Sequence, residues 1–172
     1  FMKEWVKTHR KPDGSEYNLY TDGLKIYTTI DSRMQRAAEE AMEQHLTQLQ
    51  KAFFKQIKGR AAGPFYFQGG SSVAGANQIL TKAMKQTRRW ENLRAEGLSE
   101  AEATAAFKKP VEMKIFAWGG DRDTVLSPWD SIKYMKSIYQ AGLLSVEPQT
   151  GFIKAWVGGV DFRHFKYDAV RQ

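Results

Sequence analysis

His9, His45 and His164 are the only imidazoles in the sequence, and there is no cysteine. General-base catalysis at neutral pH and imidazole ligation of a metal are therefore confined to three positions, and thiolate nucleophiles, zinc–thiolate centres and disulfides are excluded. Asp161, His164 and Asp168 lie close together in the chain. A Ser-His-Asp site also needs a serine that the fold carries to the histidine, which sequence spacing does not supply, so the three read as surface charge. His45 stands beside Leu46 in a helical stretch with no second ligand at helical spacing, which favours a structural histidine. Asp121 and Asp123 form Asp-x-Asp, yet Val125 occupies the place of the third oxygen ligand that a calcium loop of EF-hand type requires. Glu39 and Glu40 are adjacent and point in different directions on a helix, so they do not flank one substrate bond. The segment GGSSVAG lacks the Gly-Lys-Ser/Thr ending of a phosphate loop and follows no strand. No serine is followed three positions on by lysine. Phe116, Trp118, Trp129 and Trp156 lie on or beside strands and read as core or interface. The residues by themselves thus predict no catalytic, cofactor-binding or metal-binding position and no cofactor.

The elements that would position these groups can be read from periodicity. Residues 1–23 form a linker, with a short helix over 1–10 followed by turns at Gly14 and Gly23. Leu24, Ile26 and Thr28 alternate with Lys25, Tyr27 and Thr29 and predict a strand. Asp31 caps a long helix with an apolar stripe of Met34, Ala38, Met42, Leu46, Leu49, Phe53 and Ile57. Residues 59–76 hold five glycines and one proline and predict a long loop. A helix over about Asn77–Glu96 ends at Gly97, with Leu98 folding back toward Leu93. Ser99 and Glu102 form a capping box for a helix that closes at Phe107, before Pro110.

Beyond Pro110, Val111, Met113, Ile115 and Ala117 share one face of a strand, and Gly119-Gly120-Asp121 reverses the chain into Thr124–Leu126. Ser127-Pro128 starts a helix carrying Ile132, Met135 and Tyr139 that ends at Gly142. Last comes a hairpin, in which Leu144 and Val146 share a face with Ile153, Ala155 and Val157 across the turn EPQTG. KIFAWGG and KAWVGG resemble each other, but a strand ending in two glycines recurs easily. The fold class that follows is α+β, a long helix and shorter helices packed on a small, mostly antiparallel sheet.

With 172 residues, 42% apolar and 26% charged, the chain has room for a domain plus an appendage and lies in the ordinary globular range. No run approaches the roughly 18 apolar residues of a membrane helix, and the basic start FMKEWVKTHRK precedes no apolar signal segment. The first residue, Phe1, and the end at Gln172 read as an excerpt from something longer. A net charge of +7 suggests an anionic partner. Its basic groups, Lys51, Lys55, Lys58 and Arg60, then Lys82, Lys85, Arg88, Arg89 and Arg94, are not interleaved with aromatics and read as solvated helix faces. A basic nucleic-acid-binding module and a periplasmic protein-interaction module remain the alternatives at this level.

Two segments carry a resemblance. LKIYTTIDSRMQRAAEEAM (Leu24 to Met42) resembles the opening of the transpeptidase region of class A, bifunctional penicillin-binding proteins, and LLSVEPQTGFIKAWVGGVDFRHFKYDAVRQ (Leu143 to Gln172) is similar to that region's first strand pair and the aromatic run after it. FKKPVEMKIFAWGGDRDTVLSPWDSIKYMKSIYQ, from Phe107 to Gln140, is similar to an insertion in Bacteroidetes-like members of the 1A type. The resemblance implies a division into 1–23, linker; 24–58, strand and long helix; 59–76, loop; 77–142, insertion; and 143–172, first hairpin, cut before the active site.

What it implies for the parent is a peptidoglycan glycosyltransferase and D,D-transpeptidase at the periplasmic face of the inner membrane. Such a parent acts on peptidoglycan and its lipid-linked precursor and is acylated by β-lactams on the serine of a Gly-Ser-x-x-Lys motif. The present chain carries none of the family's three transpeptidase motifs, and Gln149-Thr150-Gly151 is a hairpin turn without the lysine of the third. It is therefore expected to be a non-catalytic, soluble piece with no nucleic-acid partner. Its terminal hairpin leaves an edge that either pairs with the strand Val111 to Trp118 or associates two copies.

Overall fold

The computed structural model describes residues 2–60, 64–65 and 73–171. The α+β class holds: among the described residues six helices accompany two antiparallel strand pairs. Among the described residues no helix is long and apolar enough to cross a membrane.

Helix α1 (Met2–Thr8) is followed by turns in which Gly14 and Gly23 take positive φ. Trp5 stacks on His9 at 4.4 Å, and Lys11 Nζ pairs with Asp22 Oδ2 at 2.7 Å. The strand expected from Leu24 does not form. Ile26 and Tyr27 are exposed, because alternation makes a strand only where a ladder receives it. Only the end of this segment finds the hairpin: Thr29 Oγ1 donates to the Ile153 carbonyl at 2.7 Å and the Asp31 N–H to Lys154 O at 3.0 Å.

Helix α2 (Ser32–Ile57) starts as expected. Asp31 stands at the N-cap with φ −89° and ψ 117°, and its carboxylate accepts from the N–H groups of Arg33 and Met34. The Arg33 guanidinium and those N–H groups hold the Asp31 carboxyl down at about 2. The buried face differs from the expected stripe. Ala38, Leu46 and Gln50 are buried, whereas Met34 and Leu49 are exposed. Counting apolar residues overlooks Gln50, only 1% exposed, whose Nε2 donates to Ser137 O at 2.9 Å and whose Oε1 accepts from the Tyr139 N–H at 2.8 Å.

Two helices replace the one expected from Asn77. Helix α3 (Val73–Lys85) begins inside the expected loop, and α4 (Arg88–Ala95) follows a break at Thr87. The rest of that loop, 61–63 and 66–72, lies outside the described residues. The break is made by the Thr87 hydroxyl, which donates to Met84 O at 2.7 Å and accepts from the Trp90 N–H at 3.2 Å. One side chain ends a helix and caps the next, a competition with the backbone that pattern counting does not register.

At the far end Gly97 has φ 91°, and the N–H groups of Gly97 and Leu98 reach back to Arg94 O and Leu93 O. The Ser99–Glu102 capping box then opens α5 (Glu100–Phe107). Met84, Trp90, Ala103 and Phe107 form the core of this helical packet, covered by Leu93, Leu98, Trp129 and Ile132.

Strands β1 (Val111–Ile115) and β2 (Arg122–Leu126) pair antiparallel from Val111↔Leu126 to Ile115↔Arg122. Ser127 caps α6 (Pro128–Lys136), whose C-cap is Ser137, so it ends well before the expected Gly142. The reason is Gln50, which takes the Ser137 carbonyl and the Tyr139 N–H out of any further helix.

Strands β3 (Leu143–Val146) and β4 (Ile153–Val157) pair antiparallel with a register shift between Ser145 and Val146. The face assignment is reversed for β3. Leu143 and Ser145 stand opposite the buried Val157 and Ala155, while Leu144 and Val146 are exposed. The second core lies here, with Ala38, Ala155 and Val157 packed by Met42 and Leu143.

The two hairpins are separate sheets, so the strand from Val111 does not pair with the terminal hairpin. Its partner is β2, and the free side of β4 is taken by Thr29, Asp31 and Gln35 of the α2 end.

Two measurements check this account. Gln50→Met keeps the volume but leaves a buried carbonyl and a buried N–H unpaired, so urea unfolding should show a loss of about 2–4 kcal/mol; an unchanged midpoint would remove Gln50 from this role. Because the Asp31 carboxyl is depressed from 3.8 to about 2 in the folded chain, its cap stabilises fully above about pH 4 and is lost as pH falls toward 2. The stability gap between the native chain and Asp31→Asn should therefore narrow over that interval, and a gap constant with pH would contradict the assignment.

Candidate functional site

The packing of α2 on β4 and the approach of the first hairpin to the second leave a cavity of about 600 Å³. Its walls come from three places: Gln35 to Glu43 on α2, Phe116–Gly120 after β1, and Trp156–Asp168 at and beyond β4. The two look-alike segments therefore meet across one space.

The first wall is organised by Phe116, which is 5% exposed. Trp118 and Phe165 meet its ring edge-on at 5.3 Å each, and His164 does so at 5.8 Å. Such T-shaped contacts place positive ring edges on a negative face. The Phe116 carbonyl accepts from the Tyr134 hydroxyl at 3.0 Å, tying α6 to the same point, and burial pushes the Tyr134 phenol above its usual range. Trp118 lines the cavity, and its buried Nε1–H has no acceptor among the described residues.

The second wall depends on missing side chains. A Cβ on Gly158 would stand 2.7 Å from Asp168 Oδ1, one on Gly159 3.2 Å from Tyr167 O, and one on Gly142 2.8 Å from Val170 Cγ2 and 3.0 Å from its N. Residues 167–170 lie against these three glycines, with the Ala169 N–H donating to Gly158 O at 2.7 Å. Asp168 then accepts from Trp156 Nε1 at 3.1 Å and from the Val170 N–H at 3.0 Å. Gly119 and Gly120 do something else. A Cβ there would meet nothing, but φ of 88° and 131° suits glycine. The same dipeptide thus answers a turn in one place and a close approach in the other.

Of the three residues that lie close together in sequence, the fold keeps Asp161 and His164 together and sends Asp168 to Trp156. The third member of the cluster is Asp121, one ligand atom from each lying within 4.8 Å of the others. His164 Nε2 is 2.8 Å from Asp121 Oδ1, joining the loop after β4 to the β1–β2 turn. Arg163 Nη2 lies 2.6 Å from Asp161 Oδ2 and 3.9 Å from Asp121 Oδ1. The hydrogen bonds of Arg163 hold the Asp161 carboxyl below its ordinary range. The Arg163 guanidinium sits on Asp161 and lies farther from Asp121, and with the His164–Asp121 contact the cluster ties two loops together.

Asp123 stands exposed on β2, 3.9 Å from Lys114, and His45 and Glu40 are exposed on α2. No serine lines the cavity among the described residues.

The sequence alone marks neither Gln35 nor the Glu39–Glu43 pair as a cavity wall. Gln35 Oε1 accepts from the Trp156 N–H at 2.7 Å, and its Nε2 donates to Trp156 O at 3.0 Å and to Glu39 Oε1 at 2.7 Å. The one available signal was a glutamine in the first turn after the cap.

Residues 62–139 match the family described as the penicillin-binding protein middle domain, a span that contains α3 to α6 and the β1–β2 pair. No curated protein and no solved structure matches the chain. The match supports a piece of a penicillin-binding protein.

Gly158→Ala tests the second wall. It should displace the Asp168 carboxylate, lower stability by about 1–3 kcal/mol and shift the Trp156 indole N–H signal in a ¹H–¹⁵N spectrum; a native-like indole signal would contradict the close approach.

Proposed function

We propose that the chain is the non-catalytic junction of a class A penicillin-binding protein of the 1A, Bacteroidetes-like type, carrying the middle domain as an excursion from the opening of the transpeptidase region. The observation that carries this reading is where the two flanks of the matched span lie. Leu24 to Met42 and Leu143 to Gln172 resemble consecutive parts of the transpeptidase region, and they are the segments joined in space, through Thr29 to Ile153, Asp31 to Lys154 and Gln35 to Trp156. Residues 62–139 leave that unit after α2 and return to it at β3.

The division of labour follows. In the parent a serine activated by the lysine of Gly-Ser-x-x-Lys attacks the penultimate D-alanine carbonyl of a wall peptide, the terminal D-alanine leaves with the serine's proton as an acyl ester forms, and the amine of a neighbouring stem then takes the acyl group and gives a proton back to the serine. Backbone donors stabilise the tetrahedral oxyanion. In this reading the present residues supply none of those groups. They fix the terminal hairpin, β3–β4, on α2, and they hold the middle domain at a set position through Gln50 and the His164–Asp121 bond. The parent works at the periplasmic face of the inner membrane, on peptidoglycan and its lipid-linked precursor. The outer edge of β3, with Leu144 and Val146 exposed, is where further strands or a second copy would add.

A fluorescent penicillin separates scaffold from enzyme. The isolated 172-residue chain should remain unlabelled, whereas a longer product of the same gene that includes Gly-Ser-x-x-Lys beyond Gln172 should be labelled at that serine. Label on the isolated chain, or a longer product without such a motif, would overturn the proposal.

A further inference from the structure

Single side chains close a circuit through the molecule. Gln35 holds the start of α2 to Trp156 on β4, and Gln50 holds the same helix to the end of α6 at Ser137 and Tyr139. One turn on from Gln50, the rings of Phe53 and Phe54 meet Tyr139 and Tyr134 at 4.7 and 6.0 Å. The Tyr134 hydroxyl then carries α6 to the Phe116 carbonyl after β1, at 3.0 Å. His164 Nε2, 2.8 Å from Asp121 Oδ1, carries the β1–β2 hairpin back to the loop that follows β4. Among the described residues no hydrogen bond, ion pair or ring contact joins Gln50 to His164 directly. The Gln50 link is buried, whereas the imidazole and carboxylate of the His164 link are 21% and 23% exposed, so water competes for that link first. In a closed circuit each link holds the groups of the next one near each other. Once one link opens, the others must close a longer loop, and the effective concentration of their partners falls.

We propose that this circuit opens and closes as a unit. The loop 161–168 is held against the first hairpin while the end of α6 is seated on Gln50, and loosening either end loosens the other. Such coupling between separated sites is reciprocal. Tyr134 is the hinge of the device, because its ring lies against Phe54 of α2 while its hydroxyl holds Phe116, whose own ring meets His164 edge-on at 5.8 Å. A partner that draws the α3–α6 region away from α2 is thereby felt at the loop after β4, and one that grips the loop steadies α6. The proposal rests on contacts within this chain and is independent of the transpeptidase reading.

The test is amide hydrogen exchange on the whole chain, read by NMR at fixed pH and temperature. His164→Phe keeps a ring against Phe116 and removes the nitrogen, and Tyr134→Phe keeps its ring and removes the hydroxyl. His164→Phe should speed exchange of the Tyr139 N–H, which donates to Gln50, by about tenfold. Gln50→Met should do the same, by about tenfold, for the Phe165 N–H, which donates to Asp161 O. The Ala103 N–H, bonded to Ser99 O in the helical packet, is the internal reference and should keep its native rate. Tyr134→Phe should speed both ends. Adding His164→Phe to it should raise the Tyr139 rate by well under the product of the two separate factors, since a circuit already open has less to lose. If Gln50→Met does not fold, the two phenylalanine variants still decide. A Tyr139 rate unchanged by His164→Phe, factors that multiply in the double variant, or an Ala103 rate that rises equally would each overturn the proposal.

Discussion

A buried backbone polar group must find a partner, and in this protein two side-chain amides on one helix meet that requirement for elements far away in sequence. A glutamine amide offers an acceptor and two donors, so it can close an N–H and a carbonyl at once. Gln35 does this for Trp156 in the middle of β4, and Gln50 does it for Ser137 and Tyr139 where α6 ends. Fifteen residues separate them, about 22 Å along the axis, and they fall on nearly the same side. Helix α2 is thereby a ruler with two polar contacts. One fixes the terminal hairpin, beside the core that holds Ala38 and Met42, and the other fixes the returning end of the middle region.

The aromatic cluster at Phe116 makes the third connection. Its ring gathers Trp118, His164 and Phe165, and its carbonyl holds Tyr134. Neither strand pair is large enough to be stable alone. The first hairpin leans on α6 and on the loop after β4, and the second leans on α2. The cavity between them is what remains when two small sheets are held near one another without merging into one.

What the sequence revealed was local. Asp31, the Ser99–Glu102 box, Ser127-Pro128 and Gly97 all mark helix ends through contacts within a few residues, and the structure has each in that role. The misreadings have a common physical cause, a partner distant in sequence. Leu24–Thr29 alternates like a strand but meets no ladder. Helix α6 stops early because Gln50, more than eighty residues upstream, takes its last groups. The faces of β3 are set by its register on β4, not by its own alternation, and the bulge at Ser145/Val146 is invisible in composition. Of the candidate site, Asp161 and His164 were visible as neighbours, but Asp121 joins them from 43 residues away. Glu39 adjoins Glu40 in sequence, whereas its companion on the cavity wall is Glu43, one helical turn on.

The long-range character of the Gln35–Trp156 contact has a kinetic side. These residues are 121 positions apart, so their contact closes a large loop, whereas the packet of α3, α4 and α5 is built from near neighbours. Closing a large loop is entropically costly until the intervening chain has become compact. On that ground the helical packet is expected to form before α2 meets β4. During synthesis α2 leaves the ribosome long before the strand it will hold, and the face bearing Ala38, Leu46 and Gln50 waits in solvent for most of the chain's emergence.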